Sequence, residues 1–205
     1  MRIEAHALRK VFNRRLIFRD VSFVLDTRQV LLVSGRNGAG KSTLVKIIAS
    51  VLSPSSGSMT YTMEGKALGD QATGQIGLVA PYLQLYDEFS AAEHLSLCMT
   101  MRGARPDPDR AGQLLTEVGL FERRYDPVRT YSSGMKQRLK YAAARIHRPA
   151  ILILDEPMSN LDVEGIAMVR TVMTEHRREG ILIVATNDLT DLDHFDTRVD
   201  LNVAS

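Results

Sequence analysis

Eight consecutive residues in the first quarter of the chain carry its clearest chemical signal. Glycines that allow the backbone to curl precede a lysine and a hydroxyl residue, in the order Gly35-Arg36-Asn37-Gly38-Ala39-Gly40-Lys41-Ser42. Backbone N–H groups in such a curl can converge on phosphate oxygens, and the N-terminus of a following helix adds partial positive charge. This segment, the phosphate loop, predicts a nucleoside triphosphate site formed by Gly35, Asn37, Gly38, Ala39, Gly40, Lys41, Ser42 and Thr43.

The lysine and the serine have different tasks in this prediction. Lys41 supplies a full charge to the terminal phosphates, and Ser42 offers a hydroxyl to Mg²⁺, which completes its octahedron with phosphate oxygens and water. The alternative is a glycine-rich turn that binds nothing. A predicted strand before the loop and a predicted helix after it favour the phosphate site, because the motif requires that context.

Two adjacent carboxylates supply the second half of the predicted chemistry. Asp155 and Glu156 follow an apolar run directly, at the point where a buried strand would end. Because adjacent strand residues point to opposite sides, Asp155 could support Mg²⁺ directly or through water, while Glu156 orients and polarises an attacking water. Acids that only cap a helix N-terminus are the alternative.

Strands and helices that could position these residues alternate along the chain. Apolar residues at helical spacing predict a helix at 41–52 and a helical segment at 90–148. The runs at 151–154 and 181–184 are apolar on both faces, which is typical of central strands in a parallel sheet covered by helices. The fold class predicted is therefore α/β with an inserted helical subdomain. The predicted strands are 3–8, 18–25, 30–34, 58–63, 76–79, 151–154 and 181–184.

Composition limits the class of protein. A chain of 205 residues with 44% hydrophobic content fits one compact domain, and its formal charge of +2 gives no strong field for nucleic acid, so no nucleic-acid partner is expected. The single cysteine, Cys98, cannot form an internal disulfide and fits a reducing compartment. The N-terminus lacks the apolar core of a secretory signal, and no apolar run approaches the roughly 20 residues that cross a bilayer, so membrane contact is expected through partners.

A third motif connects the chain to a known family. The segment Tyr131-Ser132-Ser133-Gly134-Met135-Lys136-Gln137-Arg138 precedes a predicted helix and resembles the signature motif of ABC transporter ATP-binding subunits. Ser159-Asn160-Leu161-Asp162 resembles the D-loop of the same family. Together with the phosphate loop and the acidic pair, these motifs extend the resemblance over nearly the whole chain. A helix that is merely capped by serine is the alternative reading of the signature segment.

The resemblance implies a specific architecture and assembly. It implies a P-loop NTPase core with a mostly parallel sheet and an N-terminal antiparallel β portion, in one ATPase domain spanning 1–205. The core would comprise 1–80 and 149–205, and the helical subdomain 81–148. ATP and Mg²⁺ are the implied cofactors, and two copies would pair head to tail as a homodimer. The implied contacts to the opposite subunit come from the D-loop Asp162 and from the signature residues Ser132, Ser133, Gly134 and Met135.

The resemblance also implies membrane partners. The chain would lie at the cytoplasmic face of the inner or plasma membrane, held there by integral membrane permease subunits. The signature segment is similar to those of bacterial exporter ATPases, and the chain is similar to the haem-exporter ATP-binding subunit of cytochrome c maturation. Export is therefore expected; a nucleotide-gated ABC scaffold and a non-transport ABC ATPase with weak hydrolysis are the alternatives. The residues expected to form a groove for the permease, with core packing as the alternative, are Tyr82, Leu83, Leu85, Tyr86 and Phe89.

Three positions differ from the family pattern or match it loosely. Phe12 resembles the aromatic residue that stacks on adenine, with a buried packing role as the alternative. Pro81 stands where the family has its Q-loop glutamine, and Gln84 is the nearest residue that could serve the metal in its place. Asn187 stands where the family has its switch histidine. Because asparagine donates a hydrogen bond but carries no proton, we expect intact ATP binding with slow turnover.

Overall fold

The computed structural model describes residues 1–188 and 191–202, which form two sheets flanked by helices. The strands are β1 (Arg2–Phe12), β2 (Arg15–Asp26), β3 (Val30–Ser34), β4 (Ser56–Met63), β5 (Lys66–Ala67), β6 (Ile76–Val79), β7 (Ile151–Asp155), β8 (Ile181–Thr186) and β9 (Thr197–Asp200). The helices are α1 (Lys41–Ile48), α2 (Ala91–Thr100), α3 (Pro108–Glu117), α4 (Ser133–Arg145) and α5 (Val163–His176).

The larger sheet is parallel and has the strand order β6-β7-β8-β3-β9. Its strands β3, β7 and β8 are buried along their whole length, as predicted from their apolar sequences. In register, Asp155 lies beside Ala185, and Ser34 lies beside Thr186. The carboxyl ends of these strands therefore meet at one edge, and the segments that follow them carry the predicted site residues.

The smaller sheet is antiparallel, in the order β2-β1-β4-β5, and confirms the predicted N-terminal β portion. Its inward residues, among them Ile3, Leu8 and Leu25, are fully buried. They pack with α1 and with Ile153 and Ile183 of the parallel sheet in one apolar cluster. One face of the parallel sheet is therefore covered by α1 and the antiparallel sheet.

The opposite face of the parallel sheet is covered by helices from the segment between β6 and β7 and by α5. Leu154 and Val184 alternate with the residues of the first cluster and pack here against Leu95 of α2, Leu139 of α4 and Val169 of α5. The predicted helical segment thus resolves into α2, α3 and α4, which share a core with the sheet. The division into a core and a subdomain at 81 and 148 stays a prediction.

Helix α1 and strand β9 differ most clearly from the sequence prediction, and the two-residue strand β5 was not predicted either. Helix α1 ends at Ile48, before the predicted 52, and Ser50 just beyond it has a left-handed φ of 58°. Strand β9 was not predicted, because its sequence Thr-Arg-Val-Asp has no apolar run. It forms at the sheet edge by pairing with β3, a contact between distant parts of the chain.

Among the helices of residues 1–188 and 191–202, none combines the length and the apolar character that a bilayer crossing demands.

Gly77 is expected to be sensitive to substitution, since β6 and α4 approach closely there. A Cβ atom at Gly77 would lie 2.3 Å from the backbone oxygen of Ala144, whereas a Cβ at Gly74 would meet nothing within 4 Å. We expect Gly77→Ala to lower the free energy of unfolding by about 1–3 kcal/mol, because backbone must shift to admit the methyl group. Urea unfolding measures the change, and the control Gly74→Ala should stay within about 0.5 kcal/mol of wild type. Equal free energies of unfolding for the two variants would contradict the close approach of β6 and α4 at Gly77.

Candidate nucleotide-binding site

The phosphate loop joins the end of β3 to the start of α1. Gly40 is the N-cap of α1 with a left-handed φ of 103°, and a Cβ there would lie 2.6 Å from Cγ2 of Ile17. The cap has no side-chain hydrogen bond, and no acidic residue lies in the first helical turn. The N–H groups of that turn therefore remain available to an external anion, which the helix dipole would stabilise.

Lys41 lies buried at the centre of the site, with 6% of its side chain exposed. Its Nζ donates a hydrogen bond of 2.8 Å to the backbone oxygen of Gly35 and lies 3.3 Å from Oε1 of Glu156. A buried ammonium with one acidic neighbour retains capacity to bind a further anion. The structure thus brings the predicted phosphate ligand and the predicted catalytic acid together.

Asp155 at the end of β7 is completely buried. Both of its carboxylate oxygens lack a hydrogen-bond partner among the described residues. Burial raises the pKa of Asp155, an effect that the nearby Ser42 hydroxyl partly opposes, that Glu156 reinforces and that Lys41 counters. A buried, unpaired carboxylate beside a serine hydroxyl has the oxygen donors that a hard divalent cation requires.

The described residues contain no group of three or more His, Cys, Asp or Glu side chains arranged to hold a metal. Asp155 and Ser42 would therefore hold a cation only together with oxygens from phosphate or water. That donor set matches the predicted coordination, in which the protein supplies only part of the octahedron.

Glu156 differs from its neighbour in exposure and backbone conformation. Its side chain is 31% exposed, and its φ of 49° is left-handed, which is unusual for a residue other than glycine. The strained conformation is held by hydrogen bonds from its N–H to Ala185 O, at 2.8 Å, and from the Ser159 hydroxyl to its own backbone oxygen, at 2.8 Å. Asp155 is therefore buried away from solvent, whereas Glu156 is partly exposed to it. This difference suits the different roles predicted for the two acids.

Asn187 follows β8 and reaches the phosphate loop. Its Nδ2 donates to Oδ1 of Asn37 over 3.4 Å, and its side chain is exposed. The structure therefore brings this predicted site residue to the loop, while its catalytic role and the slow turnover stay predictions.

The signature residues lie at the exposed tip of α4. Ser132 is the N-cap, its hydroxyl accepts a hydrogen bond from the Met135 N–H at 3.2 Å, and Ser133 is also exposed. Gly134 lies close to the D-loop, because a Cβ there would be 3.5 Å from Asn160 O. In the described part of the chain, no hydrogen bond or ion pair joins residues 132–135 to residues 35–43.

Asp162 serves as the N-cap of α5. Its Oδ1 accepts hydrogen bonds from Gly165 N, at 2.8 Å, and from Nη2 of Arg138, at 2.7 Å. These bonds lower the pKa of Asp162, with the Gly165 N–H as the largest cause. Asp162 therefore has a structural role in a single copy, and its contact to a second copy stays a prediction.

Phe12 and Gln84 lie at the periphery. Phe12 is 43% exposed, with Nζ of Lys10 4.7 Å from its ring centroid, so the ring is open to solvent and the buried packing role does not apply. Gln84 is exposed and lines a separate apolar cleft with Leu83 and Tyr86. The structure therefore does not bring Gln84 to Asp155, and its metal role stays a prediction.

Lys46 is a neighbour of the site that the sequence did not single out, and Tyr82, which the sequence placed in the expected permease groove, lies beside it. Nζ of Lys46 lies 4.1 Å from the ring centroid of Tyr82. Burial raises the pKa of Tyr82 to about 12, and the charge of Asp155 contributes to the shift. Neither residue stands in a motif, so only their proximity in space connects them to the acidic pair.

Comparison with known proteins identifies the family. A family model described as ABC transporter matches residues 18–159. The chain belongs to the ABC transporter family. It is 34% identical to the lantibiotic transport ATP-binding protein SrtF of Streptococcus pyogenes, over 91% of this chain and 80% of that protein. It is also 34% identical to the cytochrome c biogenesis ATP-binding export protein CcmA of Rhodopseudomonas palustris, over 90% of each chain.

A solved structure described as the ATP-binding subunit of an ABC transporter superposes with a TM-score of 0.85 at 28% identity, covering 98% of this chain and 85% of that one. The P-loop NTPase fold and the family predicted from the motifs are thereby confirmed. This ABC subunit is an ATPase, as its family membership and its ATP-binding relatives imply.

Asp155→Asn is expected to stabilise the nucleotide-free ATPase. The substitution removes a buried, unpaired charge while keeping the side-chain shape, so we expect about 1–2 kcal/mol of added stability, or roughly 2–8 °C in Tm at neutral pH. Because the pKa of this acid is raised in the folded state, wild type loses stability as pH rises through that pKa. The difference between the proteins should therefore shrink as pH falls below about 4, where the carboxyl becomes protonated in both states.

Thermal unfolding across this pH range measures the effect. The control is Asp26→Asn, which changes an exposed carboxylate that is paired with Arg2. A lower Tm for Asp155→Asn at neutral pH would show that the carboxylate is satisfied in the nucleotide-free protein.

Proposed function

We propose that two copies of this ATPase close around two ATP molecules and drive export through separate membrane subunits. One observation supports the proposal: Lys41, Asp155 and Glu156, the residues predicted to bind phosphate and metal, lie together, while the signature tip of α4 is exposed and unconnected to them. A second copy placed head to tail would present its signature to this site. Each nucleotide would then lie between the two copies.

The phosphate end of the site supports binding and hydrolysis by the chain's own groups. The open amides of α1 and the ammonium of Lys41 would hold the β- and γ-phosphates. Asp155 and Ser42 would hold Mg²⁺, which neutralises charge on the phosphate oxygens when bound. Phosphate binding would attract Lys41 away from the carboxylate of Glu156. That carboxylate would then orient a water molecule and accept a proton from it.

The signature tip supports the role of the second copy. The N-terminus of α4 carries the exposed Ser133, and its first turn contains no acid. Such a helix end attracts phosphate. Residues 132–135 would therefore recognise the γ-phosphate held by the other copy, and loss of that phosphate would open the dimer.

A cleft of about 400 Å³ supports membrane permease subunits as partners. It is lined mostly by apolar residues, including Leu83, Leu85 and Leu97, with the strongly exposed Val51 (68%) and Met101 (73%) among its lining. A surface of this kind suits a short apolar segment of another protein. Through such a contact the ATPase would lie at the cytoplasmic face of the membrane.

Export as the direction of transport draws on the relatives. SrtF is described as a lantibiotic transport protein and CcmA as an export protein of cytochrome c biogenesis. We infer that this ATPase also serves an exporter, with a haem-related system as one candidate. Cargo recognition would reside in the membrane subunits.

A mixed dimer tests the head-to-tail arrangement. Lys41→Ala removes the phosphate ligand, and Ser133→Asp places an acid at the first position of α4, where the helix dipole favours it but the facing γ-phosphate would be repelled. Each variant alone should lose most ATPase activity, about 10-fold or more. A mixture should regain activity, because each mixed dimer contains one site with an intact loop and an intact signature.

The matched control is Pro108→Asp, which places an acid at the first position of α3, away from the signature. It should leave turnover within about twofold of wild type. If the two inactive variants gave no recovery on mixing, each site would lie within one copy and the dimer model would fail.

A charge in the cleft tests the permease contact. Val51→Asp changes an exposed cleft residue, so ATP binding should persist, while recovery of the ATPase with integral membrane proteins in detergent extracts of its own cells should fall about 10-fold or more. Val24→Asp is the control, because Val24 is exposed on β2 outside the cleft. Equal recovery of both variants would place the permease contact elsewhere.

A further inference from the structure

The segment that follows β9 lies against the phosphate loop on the side opposite Asn187. Leu201 N donates to Ser34 O at 2.9 Å, and Nε of Arg198 donates to the Ser34 hydroxyl at 2.9 Å. Two residues further along the chain, within the loop, Arg36 N donates to Oδ1 of Asn202 at 3.0 Å. The first turn of the phosphate loop is therefore tied to a strand that no nucleotide motif includes.

We infer that Asn202 is a positioning residue for the phosphate loop, held in place by Asp200. Its amide oxygen fixes the N–H of Arg36 and thereby keeps the first turn of the loop in the conformation that receives phosphate. The inference rests on ATP binding at this loop, as in the proposed function.

Asp200 determines which way the amide of Asn202 faces. Oδ1 of Asp200 accepts hydrogen bonds from both N and Nδ2 of Asn202, at 3.0 and 2.9 Å. A carboxylate only accepts and a backbone N–H only donates, so Nδ2 must face Asp200 and the amide oxygen must face Arg36. Arg198 completes the chain of contacts through an ion pair of 2.8 Å with Asp200.

The end of β9 and the turn after it bring these polar residues together. Arg198 and Asp200 are two residues apart in β9, so the strand places them on one side, and Asn202 lies in the turn that follows. The intervening Val199 and Leu201 are buried against the core and anchor the segment. In addition, a Cβ at Gly35 would meet Cβ of Leu201 at 3.4 Å, so the loop and the segment are already in contact.

Loss of the hydrogen bond between Arg36 N and Asn202 should weaken nucleotide affinity. Without Asn202, the first turn of the loop would sample more conformations, and binding would have to order it again. One hydrogen bond of this kind corresponds to about a three- to tenfold weaker Kd. Turnover at saturating ATP should stay within about twofold, because Asn202 contacts neither Lys41 nor the acidic pair.

Two measurements on the full chain test the inference. The first is the Kd for ADP in EDTA, where no metal contributes, for wild type and Asn202→Ala, together with KM and kcat for ATP. The second is hydrogen exchange of the Arg36 amide in nucleotide-free protein, which should be faster in the variant. Gln71→Ala is the control, because it removes an exposed amide side chain far along the sequence from the loop.

A double-mutant cycle tests the role of Asp200. Asp200→Ala should weaken ADP binding in wild type but have little further effect in Asn202→Ala, since Asp200 acts through the amide. An unchanged Kd in Asn202→Ala, or a lower Tm and fewer binding sites with an unchanged Kd, would overturn the inference and leave the proposed function standing. Absence of ADP binding in wild type would overturn both.

Discussion

The parallel pairing of β3, β7 and β8 is the constraint on which the site depends. Parallel strands in register end at one edge, so Ser34, Asp155 and Thr186 end neighbouring strands there although they are far apart in the sequence. The residues that follow them are the phosphate loop, Glu156 and Asn187. A slip of one residue in β7 would turn Asp155 to the other face of the sheet and separate it from Ser42.

This arrangement includes energetically unfavourable features that nucleotide binding can relieve. Asp155 is buried without a hydrogen-bond partner, and Glu156 holds a left-handed backbone conformation. Packing on both faces of the sheet maintains these unfavourable features, because its central strands are wholly enclosed by the two apolar clusters. Stability from the core thus supports a site that is preorganised for a charged ligand.

The phosphate loop is held from both sides by polar residues at strand ends. Asn187 after β8 contacts Asn37, and Asn202 after β9 contacts Arg36. The glycines that let the loop curl also make it costly to order, so these contacts compensate for conformational freedom. The signature tip of α4 shows the opposite arrangement, since it stays exposed within one copy.

The sequence by itself determined the phosphate loop, the acidic pair, the signature segment and the central strands, because each is a local pattern of residue types with a local physical cause. Only the tertiary structure decided that Gln84 lies in a separate cleft, that Tyr82 and Lys46 lie near Asp155, and that β9 brings Asn202 to the loop. These outcomes depend on pairing between distant segments. Strand β9 forms only because β3 offers it an open edge, and its polar sequence carries no signal of that partner.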